Sequence, residues 1–364
     1  MEKVQIFHRY EDAPKGAQFI DKFNDIITEL FFILHPTVRK GELKSQKPLE
    51  DFLAENSARC VWVYYPWANK VLRCPEENLY LKLRTARNRN AITTEEQARY
   101  RDLTVGIAGL SVGSKILSAI IQSGGPKNIK IADFDTLELS NLNRLDATFL
   151  DIGESKAEIA ARRSWELDPF VQIAVWSSGL NAENIENFLL ETPRLEVFID
   201  EIDDLKLKIR ARSFCQKEAI PVIMATDNGD TVILDIERFD IEKSRPLFHG
   251  ALEGENLNEI QIDFPTWLRL STKIVDPKYL TTRMQESLLE VGKTIAGIPQ
   301  LGTTAAIAGS AVSFALRRIA NNQELPSGRY LISLEEKLIP HYDDAKMRNE
   351  RMKSTKKFVK EFNL

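Results

Sequence analysis

Apolar positions recur at helical spacing between Gln18 and Leu34, at Phe19, Phe23, Ile26, Ile27, Leu30, Phe31 and Leu34. The spacing predicts a helix that His35-Pro36 ends. Cys60 to Tyr65 is β-branched and aromatic, Pro66 to Asn69 reads as a turn, and Lys70 to Arg73 returns as a second strand, which predicts a hairpin. Arg84 to Gln97 reads as a polar connector. From Leu103 the pattern changes. Short apolar runs at Leu103–Ala108, Ile129–Ala132, Gln172–Val175, Val197–Asp200 and Val222–Ala225 alternate with helical stretches near Ser114–Gln122, Lys156–Leu167, Asn181–Leu190 and Leu205–Ala219. Such alternation predicts an α/β fold, with a mostly parallel sheet and helices on both faces.

Asp227-Asn-Gly229 is a turn signal, and Thr231 to Phe239 reads as a strand. Phe248 to Val291 shows little periodicity and reads as a long connection. An Ala/Gly-rich helix follows Pro299 and ends near Ala320, and Arg329 to Ser333 reads as a last strand. From Lys346 the chain is lysine-rich, as in a solvated helix or a frayed end. The expected organisation is a small α+β module over 1–83, a large α/β domain over 84–340 and a basic tail over 341–364.

Composition narrows the function classes. With 364 residues, 43% hydrophobic and 28% charged, a sizeable core is expected. A net charge of −4 gives no electrostatic reason for nucleic acid as a general partner. The three cysteines, Cys60, Cys74 and Cys215, form no C-x-x-C pair, so a zinc ribbon is not expected and a reducing, cytoplasmic setting is. Met1 to Glu11 has no apolar leader pattern. Arg317 and Arg318 interrupt the most apolar stretch, Ala305 to Ala320, so no membrane span is expected.

Strand, glycine turn, helix, strand, acid is the order of a nucleotide-binding βαβ unit. Gly109 and Gly113 leave backbone amides free to face a phosphate at a helix N-terminus, although a tight turn with no ligand would look the same. Asp133 ends the second strand, where a carboxylate accepts from ribose hydroxyls. The string from Asp133 through Asp135 and Asn141 to Arg144, followed by Gly153-Glu-Ser-Lys156, adds two cations suited to phosphates. Asp200, Asp203 and Asp204 follow the strand at Val197. Asp204 is expected to cap the next helix, and Asp203 to hold Mg²⁺ on ATP phosphates. His249 is a candidate base for deprotonating an attacking amine, or a histidine satisfied by a loop carbonyl. Cys215 lies within a predicted helix and reads as core.

The glycine turn, "DFDTLELSNLNR", "GESK" and "IDEIDD" stand in the order found in the ubiquitin-activating, ThiF and MoeB superfamily. The resemblance runs over about residues 84–335, including "IPQLGTTAAIAGSAVSFALRRI". "VWVYYPW" and "RPLFHG" add a likeness to bacterial ThiF-type proteins that also occur fused to a nitroreductase-like domain. The resemblance implies a Rossmann-like domain that binds ATP and Mg²⁺ and adenylates a carboxylate on a peptide, carrier protein or small molecule. It places Gly109 and Gly113 against the nucleotide, Asp133 on its ribose, Arg144, Lys156 and Asn141 at the phosphates, and Asp203 on Mg²⁺. It also implies that Arg89, or Arg87 beside it, reaches the partner's site in a homodimer. The relay cysteine of thioester-forming members has no counterpart after Cys215. The βαβ unit taken alone also fits an NAD(H)- or flavin-linked oxidoreductase, or a module that binds nucleotide without catalysis.

Overall fold

The computed structural model describes residues 2–41, 43, 45–255 and 262–364. The N-terminal part comprises β1 (Gln5–Phe7), β2 (Gln18–Asp21), α1 (Phe23–Leu34), α2 (Lys47–Asn56), β3 (Cys60–Tyr65), β4 (Lys70–Pro75) and α3 (Glu77–Arg84). Its strands form a four-stranded sheet in the order β1-β3-β4-β2. The expected β3–β4 hairpin is present, with Asn69 in the left-handed region at its turn. The helix predicted from Gln18 begins only at Phe23. Gln18 to Asp21 instead pairs in parallel with β4, a partner distant in sequence that local periodicity does not reveal. Phe23, Ile27 and Leu30 bury one face of α1 with Leu79 of α3.

The large sheet begins after α4 (Thr94–Asp102), which a Thr93–Glu96 capping box starts. Arg84 to Gln97, read as a polar connector, holds the last residue of α3, a 3-10 turn at Ala86–Asn88 and the first turn of α4. Then come β5 (Thr104–Ala108), α5 (Val112–Gln122), β6 (Asn128–Ala132), α6 (Lys156–Leu167), β7 (Gln172–Trp176), α7 (Ile185–Leu190), β8 (Val197–Asp200), α8 (Leu205–Lys217), β9 (Val222–Asn228) and β10 (Thr231–Glu237). The remaining elements are α9 (Phe264–Val275), α10 (Thr282–Glu290), α11 (Gly302–Ala320), β11 (Gly328–Ser333), α12 (Leu334–Leu338) and α13 (Ala345–Glu361).

The strand order is β11-β10-β9-β8-β5-β6-β7, parallel from β9 through β7 and antiparallel at β10 and β11. Every residue of β5 is buried, as a central parallel strand covered on both faces requires. On one face α5 and α11 pack over Ile107, Ile129, Ile199 and Val232. Each fully buried side chain of this kind contributes about 1.5–3 kcal/mol. On the other face α7 and α8 cover Phe198 and Val222.

The stretch read as a structureless connection, Phe248 to Val291, contains α9 and α10; its residues 256–261 lie outside the described part. The basic tail is a helix anchored by Phe358, which packs beside Met284 and Leu288 of α10. Among the described residues no helix is long and apolar enough to cross a membrane.

Candidate nucleotide site

The chain runs β5, β6, β7 in one direction across the sheet and then returns to β8 on the other side of β5. That reversal opens a crevice at the C-terminal ends of β5 and β8, the usual ligand position in open α/β sheets. The sequence-predicted residues lie around it. Gly109 follows β5 with φ +89°, and a Cβ there would overlap the Glu201 carbonyl. Glycine is therefore required by both backbone angle and space.

The N-terminus of α5 is open. Its N-cap, Ser111, makes no capping hydrogen bond, and the first turn has no acidic residue. The Ser111 hydroxyl instead accepts from Arg144 Nε at 2.8 Å and reaches Gln300 Oε1 at 3.4 Å. Backbone N–H groups and the helix dipole thus remain available to an anion.

Asp133 is buried at the end of β6. Its Oδ2 accepts from Leu110 N at 2.6 Å and its Oδ1 from Asp135 N at 2.8 Å, so it joins the glycine turn to the following loop. Desolvation raises its pKa against those two backbone hydrogen bonds. Asn141 accepts from Glu138 N at 3.0 Å and locks the short turn that presents Arg144. Lys156, at the start of α6, is 8% exposed, and its Nζ donates to Asp135 at 2.7 Å. A lysine this buried and paired is not a solvated surface charge.

Arg144 Nη1 donates to Ser140 O and Asn143 Oδ1, while Nη2 makes no hydrogen bond among the described residues. Desolvation lowers the Arg144 pKa; Asp227 and Asp203 oppose the shift. Lys208 Nζ donates to Asp200 and to Ile202 O, stapling the loop after β8. Asp204 caps α8 through Leu207 N at 2.8 Å, as expected. The Asp203 carboxylate makes no hydrogen bond or ion pair among the described residues. Its pKa is raised first by desolvation, with Asp135 and Asp200 adding to the shift and Lys208 and Lys156 opposing it.

Arg87 and Arg89 stand apart from this group. Asn88 Nδ2 donates to Ser123 O at 3.1 Å, at the far end of α5, about 16 Å from the glycine turn. Both guanidinium groups are exposed and make no hydrogen bond or ion pair among the described residues.

His249 is satisfied, but by charged groups rather than a loop carbonyl. Arg245 donates to its Nδ1 through Nε at 3.0 Å, and its Nε2 meets Asp235 Oδ2 at 2.9 Å. Arginine has no acceptor, so Nδ1 must accept and Nε2 carries the proton. Neither nitrogen is free to act as a base. Cys215 is fully buried, and burial pushes its thiol well above the usual range. Cys74 is pushed up to about 12 for the same reason.

Two acids went unread in the sequence. Glu201 lies beneath the glycine turn, and its Oε1 accepts from Ala225 N at 2.8 Å. Burial lifts its carboxyl to about 8. Asp227 is 6% exposed and lifted to about 6 by burial, against the pull of Arg144. Glu201 was present in "IDEIDD", whereas Asp227 was absorbed into a turn signal.

An uncapped helix start, a buried lysine and a half-free arginine come together at this crevice. The ThiF family pattern matches residues 85–356, and the chain belongs to the ThiF family. An uncharacterised protein of Mycobacterium tuberculosis is 35% identical over 343 residues, which is 92% of this chain and 44% of the relative. tRNA threonylcarbamoyladenosine dehydratase 2 of Saccharomyces cerevisiae is 30% identical over 159 residues, 43% of this chain and 35% of the relative. The chain thus spans less than half the length of these curated relatives. The crystal structure of the E. coli tRNA N6-threonylcarbamoyladenosine dehydratase shares 18% identity and a TM-score of 0.47, covering 67% of this chain and 97% of that one.

Proposed function

We propose that the protein is an ATP-dependent adenylyltransferase that activates a carboxylate as an acyl-adenylate. The observation that carries this reading is the convergence of Lys156 and Arg144 on an uncapped helix N-terminus. A dinucleotide site has no use for two cations there, so the oxidoreductase alternative is disfavoured. The intact charged set argues equally against a module that has lost activity.

Gly109 and Gly113 admit the phosphates to the α5 amides, and Asp133 and Asp135 border the ribose position. A cavity of about 500 Å³ lined by Leu180, Asn181, Asp204 and Leu207 is of a size to take the nucleoside. Arg144 and Lys156 neutralise charge that builds as a carboxylate oxygen attacks the α-phosphorus and pyrophosphate leaves. Among the described residues no group of three ligating side chains could hold a metal alone. Asp203 fits Mg²⁺ in the way that ion is usually held, by one carboxylate and the substrate's phosphates. When bound, Mg²⁺ would supply further neutralisation. Among the described residues no cysteine lies at the crevice, which favours an adenylate handed on without a thioester relay. The N-terminal module and the segment around α9 and α10 would shape the acceptor site. A cytoplasmic setting suits this chemistry and the free thiols.

Because Arg89 lies far from its own chain's crevice, it serves the site of a second copy in a homodimer. Lys156→Ala and Arg89→Ala proteins should each lose ATP–pyrophosphate exchange. After subunit mixing, about a quarter of the wild-type rate should return, because each mixed dimer rebuilds one complete site. If mixing restores nothing, Arg89 does not act across an interface; Arg87→Ala, tested in the same way, shows whether its neighbour does.

A further inference from the structure

Asp227 is the one described carboxylate whose two oxygens are both buried and make no hydrogen bond. Leaving a carboxylate so costs several kcal/mol unless a charged partner arrives. Its place on β9 says where that partner would stand. Ile223 and Ala225 pack under α5 and α11, and strand alternation puts Asp227 on the same face, beyond the C-terminal ends of β5 and β8. Arg144 is near enough to pull on its charge, yet the two groups form no ion pair. Arg144 spends Nε and Nη1 on Ser111, Ser140 and Asn143 and keeps Nη2 free. An arginine and a carboxylate at the same strand ends, unpaired and each with unused hydrogen-bonding capacity, match a ligand carrying an ammonium and a carboxylate on one carbon. A metal fits less well, because no group of three ligating side chains includes Asp227 among the described residues.

We infer that Asp227 and Arg144 bind a free α-amino acid, with its ammonium on Asp227 and its carboxylate turned to Arg144, and that this amino acid is the acceptor. The inference rests on the adenylation reading. One carboxylate oxygen then forms the bond to the α-phosphorus, the bond from that phosphorus to the bridging oxygen breaks, and pyrophosphate leaves with the electron pair. The ammonium keeps its protons and stays on Asp227. An N-acylated amino acid or a peptide C-terminus lacks that ammonium and leaves Asp227 unmatched.

The test is ATP–pyrophosphate exchange by the full chain with each proteinogenic amino acid in turn, then with the N-acetyl form of any that works. At least one amino acid should raise exchange above that with ATP alone, and its N-acetyl form should not. Asp227→Asn should raise the KM for that amino acid about 10- to 100-fold while leaving ATP affinity unchanged. The same variant, without ligand, should melt no lower than wild type, because it removes an unmatched buried charge. Four results would overturn the inference: no amino acid promotes exchange although ATP binds, the N-acetyl form works as well, KM is unmoved in Asp227→Asn, or that variant melts lower. Failure of the wild type to bind ATP overturns the adenylation reading and this inference together.

Discussion

Lys156→Ala is expected to reduce ATP–pyrophosphate exchange by roughly 100- to 1,000-fold, about the loss seen when one preorganised charge-stabilising group is removed. Lys156 is already held in place before nucleotide arrives. Its ammonium is buried, fixed by Asp135 at 2.7 Å, and set at the first residue of α6. No reorganisation is needed when charge builds on the phosphates, so the whole interaction serves the reaction. Lys156→Arg should recover only part of the rate, because a planar fork does not fit the space of a compact ammonium. Exchange within a few fold of wild type in Lys156→Ala would mean that the phosphates sit elsewhere.

The largest stability effect is expected at Arg212, on the opposite face of the sheet. This side chain is fully buried and stacks over Phe248. It donates to Asp200 at 2.8 Å and pairs with Glu237 and Asp235. Lys208, Arg329 and His249 complete the network around Asp200 and Asp235. Arg212→Leu removes the ion-pair partner of Glu237 and one partner of each of the other two acids. A loss of about 3–5 kcal/mol is expected, measured by urea denaturation.

The loss should depend on pH. Although burial works to raise it, the Asp235 carboxyl is held down at about 2 by His249, Arg212 and Arg329. A depressed carboxylate stabilises the fold above its ordinary value, about 4, and that contribution is lost as pH falls toward the folded value. In Arg212→Leu the depression is weaker, so the difference from wild type should narrow between about pH 4 and pH 2. A difference constant over that range would contradict the assignment.

The crevice was legible in the sequence because its residues are local to the chain. The glycine turn, Asp133, Arg144 and Lys156 fall within one βαβ stretch whose order already implies where strand ends meet helix starts. The Arg212 network was not legible. Asp200, Asp235 and Glu237 sit on β8 and β10, and only the β8-β9-β10 order brings them to one arginine. In sequence α8 reads as an ordinary charged helix.

The helix α9 escaped for a different reason. Leu268 packs with α10 and α13, whereas Leu270 and Ile274 pack against Leu205 and Phe248. Its apolar residues Phe264, Trp267, Leu268, Ile274 and Val275 do recur at helical spacing, but the stripe is short and stands inside a long stretch that is otherwise irregular. Asp227 was hidden by its neighbours. Asp227-Asn-Gly229 reads as a turn, but β9 continues through Asn228, and the pairing of Asp227 with Val232 carries the carboxylate into the sheet edge.

The central claim is that the crevice holds ATP, and calorimetric titration of Mg²⁺-ATP and, separately, of NADH into the wild-type protein tests it most directly. Saturable binding of ATP, weakened when Mg²⁺ is withheld and in Asp203→Ala, with no heat from NADH, is the predicted result. Saturable binding of NADH with none of ATP would contradict it and put the oxidoreductase reading in its place.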